Sequence, residues 1–346
     1  MNKIDINNIL KLINKKSFIK LKWIKEQKLE ENIMKKGILI FMIVFLVLII
    51  LAGIIFIVVG NYFFDFALSA NSSKAMVLDN NQGNDEKENT EAIELNKWFN
   101  ENKQDIYITS DDNLKLHAYG FINSKTDIWT IVIHGYASEG KNMSSYTKKF
   151  YDMGYNVLTV DLRGAGESEG DYICMGWLDR LDIKKWINEI VNRNGNSKII
   201  LFGLSMGAAT TMMTTGEELP SNVKVAIEDC GYTSVWDEFA GQLEKLFHLP
   251  TFPTLNAADF VTGIRAGFNF KEASSVEQVK KSKIPTVFIH GDKDTFVPFW
   301  MLDEVYNAAA CKKEKLVIEG AKHAEASEVA PELYWSTIER FISENL

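Results

Sequence analysis

Cysteine is scarce: 346 residues hold three, Cys174, Cys230 and Cys311. The odd count, without metal-ligand spacing, points to free thiols rather than a disulfide framework and leaves the redox compartment open. Phosphate-cradling glycine loops are missing, with no Walker pattern and no G-x-G-x-x-G opening a helix after the first strand. No His/Asp cluster has metal-ligand spacing either. Neither a cofactor nor a metal is therefore expected. There is no internal repeat, and histidine is limited to five positions. The averages exclude two further classes. A mean hydropathy of −0.09 excludes a multi-pass membrane protein, and 24% charged with 12% aromatic residues excludes a disordered chain.

Those averages hide two uneven distributions. Residues 1–36 carry ten lysines against four acids, a net of +6, while residues 37–60 carry no charge. The whole chain stands at −8, so residues 61–346 hold −14. A part this acidic is a poor match for phosphate backbones, so no nucleic-acid partner is expected. The uncharged stretch reads GILIFMIVFLVLIILAGIIFIVVG. As a helix it would be about 36 Å long, enough to cross a roughly 30 Å hydrocarbon core. A core helix would show polar positions on part of its circumference. A signal peptide would have a shorter leader and apolar region, although Ala67-Leu68-Ser69 offers a weak small-x-small cleavage pattern. The expectation is one uncleaved transmembrane helix over 37–60, with the basic leader 1–36 cytoplasmic and the remainder outside the cell membrane. The leader, with Ile6, Ile9, Leu10, Ile13, Leu21 and Ile24 among its lysines, reads as a basic tail that sets topology, in preference to an amphipathic helix on anionic lipid.

After the span, residues 61–92 read as a stalk, polar over 71–91. From about 93 to 346, short apolar strands alternate with amphipathic helices. Strands are expected at 105–109, 114–121, 128–134, 155–160, 198–203, 223–228, 285–290 and 315–319, and helices at about 141–153, 176–193, 205–216, 299–311 and 328–344. The later strands are near-continuous Val/Ile/Leu runs, as parallel strands buried on both faces require. The fold class is α/β: a mostly parallel, doubly wound sheet with the two leading strands as its antiparallel edge. An insertion at about 232–282, rich in Phe and Leu, is expected to be a helical cap over the site.

Strand 198–203 runs into Gly203-Leu204-Ser205-Met206-Gly207 and then a small-residue helix start. This G-x-S-x-G lies where the motif has meaning, at a strand–turn–helix junction. Ser205 must adopt a strained backbone angle to raise its hydroxyl above the sheet, and its glycine neighbours must lack Cβ because the returning helix passes close. A serine nucleophile needs a base and an orienting acid. Among the histidines, His117 lies in an early strand, His134 and His290 end strands before a glycine, and His248 lies in the cap. His323, in the loop before the final helix, is the base by position and elimination. For the acid, Asp292 and Asp294 compete. Reaching across to the base favours Asp294, several residues past the strand end, whereas Asp292 suits hydrogen bonds to loop amides. Oxyanion donors are expected from the backbone N–H groups of Met206 and of Tyr136, in the loop after strand 128–134. The Asp161/Arg163 turn reads as structural support beside the site.

The stretches HGY at 134–136, DLRGAGESEG at 161–170, GLSMG at 203–207, HGDKDTFVP at 290–298 and GAKH at 320–323 occur in this order. Together they resemble the α/β-hydrolase superfamily, in particular bacterial membrane-anchored serine hydrolases akin to serine-aminopeptidase-like and Bem46-like esterases. The resemblance spans about residues 105–344. Ala165 departs from it, at a place where His is frequent. It implies an α/β-hydrolase fold with Ser205 as nucleophile, Asp294 as acid, His323 as base and the Tyr136 and Met206 amides for the oxyanion.

The expected activity is cleavage of carboxylic esters through an acyl-enzyme, with a small acyl-ester or lipid-like substrate. Trp177, Tyr232, Trp236 and Phe299 are candidate wall residues. A peptidase or aminopeptidase would use the same triad and need acids for an α-amino group, for which Glu228, Asp229 and Asp237 stand near. An acyltransferase would differ only in the acceptor. A non-catalytic binding module would retain the fold without the chemistry.

Overall fold

The computed structural model describes residues 6–74 and 90–346, which fall into two compact units, up to Val58 and from Val59 onward. The first unit is most of helix α1 (Ile6–Leu68), continuous through the basic leader and the apolar run. Its large apolar side chains from Ile38 to Ile55 are all exposed. Length and composition make it a candidate membrane span.

The stretch expected as a stalk over 61–92 divides into three. Residues 61–68 are the last two turns of α1, and Phe64 and Leu68 are fully buried in the core of the second unit. The reason is composition: Tyr62, Phe63, Phe64 and Phe66 form an aromatic cluster, and burying one such ring contributes about 1.5–3 kcal/mol, which a solvated stalk forfeits. Residues 69–74 continue against the domain, with Ser69 bridged to Tyr172. The polar part over 75–89 lies outside the described residues. Thr90–Asn102 is a further helix, α2, which packs Phe99 on Tyr119 and Phe121.

The rest of the second unit is built on eight strands: β1 (Gln104–Thr109), β2 (Lys115–Phe121), β3 (Ile128–Ile133), β4 (Asn156–Val160), β5 (Lys198–Leu204), β6 (Val223–Asp229), β7 (Thr286–Gly291) and β8 (Lys313–Ile318). They form one sheet in the order β1-β2-β4-β3-β5-β6-β7-β8. β1 and β2 are antiparallel to their neighbours and all other pairs are parallel. β4, β5, β6 and β7 are buried along nearly their whole length, which explains their unbroken Val/Ile/Leu character. The strand order reverses between β3 and β5, and a doubly wound sheet opens a crevice beyond the strand ends at such a point.

The surrounding helices are α3 (Ser144–Asp152), α4 (Asp179–Arg193), α5 (Met206–Thr215), α6 (Val235–Phe247), α7 (Thr251–Arg265), α8 (Ser275–Val279), α9 (Trp300–Ala308), α10 (Ala326–Val329) and α11 (Pro331–Ser343). The single C-terminal helix expected from 328 is two pieces, because Ala330 leaves helical geometry and Pro331 opens α11. The inserted segment between β6 and β7 supplies α6, α7 and α8. Ser234 caps α6 by accepting from the Asp237 amide, and Ser274 caps α8 by accepting from the Glu277 amide. A Ser234–Ser274 bridge ties the two ends of the insertion together.

Candidate active site

At the end of β5 the chain turns sharply into α5. Ser205 sits at the turn with φ 56° and ψ −117°, a conformation a side chain adopts only under strain. Its amide donates to the Asp229 carbonyl (2.8 Å), which holds the turn against β6. A Cβ on Gly203 would collide with the Gly207 backbone, and one on Gly207 with the Ile133 carbonyl. Any larger residue at either place forces helix and strand apart, and the serine loses its position.

The loops after β7 and β8 converge on this hydroxyl. The Ser205 O–H donates to His323 Nε2 (2.8 Å), and His323 Nδ1–H donates to Asp294 Oδ2 (2.7 Å). The other Asp294 oxygen accepts from the amides of Phe296 (2.8 Å) and Val297 (3.0 Å), so the carboxylate is held on both sides. Burial pushes the Asp294 carboxyl up. Hydrogen bonds from His290 and His323 outweigh that and hold it at about 2. It is therefore ionised at neutral pH, which keeps the Nδ1 proton of His323 in place and Nε2 free to accept. Phe296 stacks at a tilt on the His323 ring, centroid to centroid 4.9 Å. Asp292 braces the loop instead: it accepts from the Gly320 amide (2.6 Å) and pairs with Lys293 (2.8 Å).

His134 and His290 have structural partners. His134 donates from Nδ1 to the Gly135 carbonyl and accepts at Nε2 from the Leu162 amide (3.1 Å). His290 Nε2 lies 3.0 Å from the Val297 carbonyl and 3.2 Å from Asp294, which supports the acid from behind. Arg163 forks onto Asp182 through two 2.8 Å hydrogen bonds and reaches Asp112 at 2.9 Å.

Two cavities meet at Met206. One, of about 50 Å³, is apolar and reaches Ser205, with Tyr136, Met175, Tyr232 and Phe296 in its walls. The other, of about 390 Å³, is polar and lined by Ser72, Lys74, Ser138, Asn142 and Arg163 among others. Lys74 donates to the Phe66 carbonyl (2.7 Å) and to Ser72 (2.6 Å), and burial lowers its ammonium to about 8 despite the opposing charge of Asp65.

Of the four aromatic wall candidates, only Tyr232 lines the apolar cavity. The other three need correction. Trp177 turns its indole N–H to Glu272 (3.2 Å) and stacks under Arg180. Trp236 carries Lys271 over its ring, and Phe299 packs on the His290 ring. Each is taken up by a neighbour that only folding supplies. Phe66, Ala67 and Glu238 line the cavity and were not singled out from sequence. The aromatic cluster at 62–66 was the available signal for the first two. Glu238 had none, being one acid among several in the cap. Burial raises its carboxyl to about 8, with Gln242 pulling the other way, and one of its oxygens has no hydrogen-bond partner among the described residues.

Known proteins resemble this chain in sequence and in fold. Residues 125–255 match the family described as serine aminopeptidase, S33. The Pyrococcus furiosus esterase Pf2001 superposes with a TM-score of 0.58 at 25% identity, covering 70% of this chain and 92% of that one. The chain has the α/β-hydrolase fold and resembles that superfamily. In sequence, this hydrolase is 28% identical to the Bacillus subtilis protein YqkD over 213 residues, 61% of this chain and 70% of that one. It is also 27% identical to the Danio rerio lysophosphatidylserine lipase ABHD12 over 190 residues, 53% of this chain and 47% of the lipase. The match therefore spans about half of that lipase.

Proposed function

We propose that this hydrolase is a membrane-anchored serine esterase that cleaves carboxylic esters through an acyl-enzyme. The observation that carries the reading is the hydrogen-bonded chain Asp294–His323–Ser205, ending at a strained serine that opens on an apolar cavity. His323 Nε2 takes the hydroxyl proton as Ser205 Oγ attacks the acyl carbonyl, and ionised Asp294 stabilises the imidazolium. The Met206 amide opens α5 and so has no acceptor within the helix. With the Tyr136 amide it would receive the oxyanion. The imidazolium then protonates the leaving alcohol. Water, deprotonated by the same nitrogen, releases the acid.

The apolar cavity suits the acyl part of a small ester or lipid, and the polar cavity beyond Met206 suits the alcohol part. The resemblance in sequence to a lysophosphatidylserine lipase supports a lipid ester. The uncharged run of α1 would cross the cell membrane, and the lysine-rich leader would hold the N-terminus in the cytoplasm with the catalytic domain outside. The test is labelling by a fluorophosphonate probe together with turnover of p-nitrophenyl esters from two to sixteen carbons. Both are expected in wild type and both lost in Ser205→Ala; turnover undiminished in that variant overturns the reading.

Glu238 favours a second reading, aminopeptidase action. Its unpartnered oxygen in the Ser205 cavity is a candidate anchor for an α-amino group. The three acids near enough in sequence do not line that cavity: Glu228 accepts from the Gly231 amide, Asp229 from Tyr334, and Asp237 from Thr233 and Ser234. Aminoacyl p-nitroanilides hydrolysed faster than acyl esters, with Glu238→Gln abolishing the preference, would establish it. Acyl transfer to an alcohol instead of water is read in the same assay by adding glycerol and measuring ester product.

A further inference from the structure

The cavity at Ser205 holds about 50 Å³, whereas sites that enclose drug-sized ligands measure roughly 300–1,000 Å³. A second apolar cavity of about 50 Å³ lies beside it, between the end of α1 and the cap helices α6 and α7. The two share Phe66, Ala67, Phe239, Gln242 and Leu246 as walls, and Phe63 lines the second. The shared walls come from the end of α1 and from α6.

We propose that the last two turns of α1 are one wall of an acyl-chain site. In it Phe63 and Phe66 set the length of chain accepted, and the ligand is the long acyl group of a lipid ester drawn in along this helix. The proposal deepens the esterase reading and rests on it for the fate of the ester at Ser205.

Four observations support it. The helix end is built into the domain: the Leu68 carbonyl accepts from the Ile173 amide (2.7 Å), the Ala70 amide donates to the Asp171 carbonyl (2.9 Å), and Arg265 pairs with Asp65 (2.8 Å). It also touches the reacting loop, because the Tyr136 hydroxyl donates to the Ala67 carbonyl (2.7 Å), on the residue whose amide is the oxyanion candidate. Phe63 and Phe66 each meet Phe247 edge to face, at 5.1 and 5.2 Å between centroids. Phe66 lines both cavities. Finally, Phe63 and Phe66 come three and six positions after Gly60, the last residue of the uncharged run, about 5 and 9 Å along a helix. A chain lying on this stretch would stay on apolar surface as far as the serine. Each methylene it buries strengthens binding about fourfold.

The test uses the full-length protein in phospholipid nanodiscs. The first readout is the ratio of kcat/KM for p-nitrophenyl laurate to that for the acetate. Phe63→Trp and Phe66→Trp are expected to lower this ratio at least tenfold, and Phe66→Ala to move the optimum to longer chains. Leu333→Ala, exposed on α11 and lining neither cavity, leaves the ratio unchanged. Ratios within twofold of wild type in all three phenylalanine variants, each labelled normally by a fluorophosphonate, overturn the acyl wall and leave the esterase reading standing. The second readout does not need turnover: a palmitate carrying a terminal diazirine is photolysed on the protein and the adduct mapped. Adducts are expected in the peptides holding residues 61–68 and 239–247. Adducts confined to other parts of the second unit overturn the proposal even if no ester is hydrolysed, while absent hydrolysis and labelling with adducts at 61–68 overturns the esterase reading alone.

Discussion

Two histidine–aspartate pairs in this domain have the same contact and opposite surroundings. His323 Nδ1 lies 2.7 Å from Asp294 and His117 Nδ1 lies 2.7 Å from Asp161. Beyond its far nitrogen, His323 meets a hydroxyl, Ser205, and it retains some exposure. His117 meets a second carboxylate there, Asp105 at 3.2 Å, and is completely buried in β2. Burial alone would lower His117, but the hydrogen bond and charge of Asp161 and the bond to Asp105 overcome it and raise the ring above its ordinary value. Asp161 is held down in turn by His117 and by the amides of Glu167 and Gly140, against its own burial. A ring gripped by two acids keeps its proton. A ring with one acid and one hydroxyl can pass it on. The contact with the aspartate is common to both, so the group on the far side and the remaining exposure of the ring make the difference.

The largest effect expected is at the serine. Ser205→Ala should lower ester turnover by about 10⁶-fold and abolish fluorophosphonate labelling, as loss of the nucleophile does in a serine hydrolase. Asp294→Asn comes next, with kcat down about 10⁴-fold from the wrong imidazole tautomer. Steady-state kinetics on one ester measures both. A fall of less than tenfold in Asp294→Asn would make the two pairs equivalent and remove the comparison.

The structural pair should respond in stability. His117→Gln leaves a buried carboxylate without its charged partner and should cost about 3 kcal/mol, read from urea midpoints, while fluorophosphonate labelling of the folded fraction persists. The direction of each shift sets the sign of its pH dependence. His117 is raised in the folded state, so its contribution is fully present below the unfolded value of 6.5 and is lost as pH rises through the folded value. Asp161 is lowered, so its contribution is present above 3.8 and lost as pH falls below that. The deficit of His117→Gln should therefore be larger at pH 5.5 than at pH 9; the reverse order would mean that the ring is neutral. Asp105→Asn should have the smallest effect, within about 1 kcal/mol, because Asp105 is 43% exposed and water screens it.

The elbow was legible because each of its requirements is local. Gly203 and Gly207 flank Ser205 at a spacing that a strand–turn–helix junction demands, and chain order pointed to His323. The choice of Asp294 over Asp292 rested on reach, and the geometry gives a physical account: Asp292 is spent on the Gly320 amide while Asp294 faces the ring. Glu238 was illegible for the opposite reason. Nothing in its neighbourhood along the chain distinguishes it from Asp237, one residue away, whose carboxylate accepts from the hydroxyl of Ser234, the cap of α6. One step around a helix of 3.6 residues per turn moves a side chain by about 100°, and only the packing of α6 shows which acid faces the serine. Trp177, Trp236 and Phe299 failed similarly, since an aromatic ring in a cap or loop suits a pocket wall and a core equally well.

By itself, the sequence determined the features that short-range rules dictate: an uncharged run long enough to span a bilayer, alternating strands and helices that specify a doubly wound sheet, and a glycine-flanked serine where only a sharp turn fits. Tertiary structure alone decided where α1 ends its work. Charge patterning separates residues 61–68 from the apolar run, but burial of Phe64 and Leu68 makes them part of the catalytic domain and sets Phe66 and Ala67 beside Ser205. The physical reason is that residues some 140 positions apart meet only once the sheet has closed its core. No local preference records which apolar surface a buried ring will find.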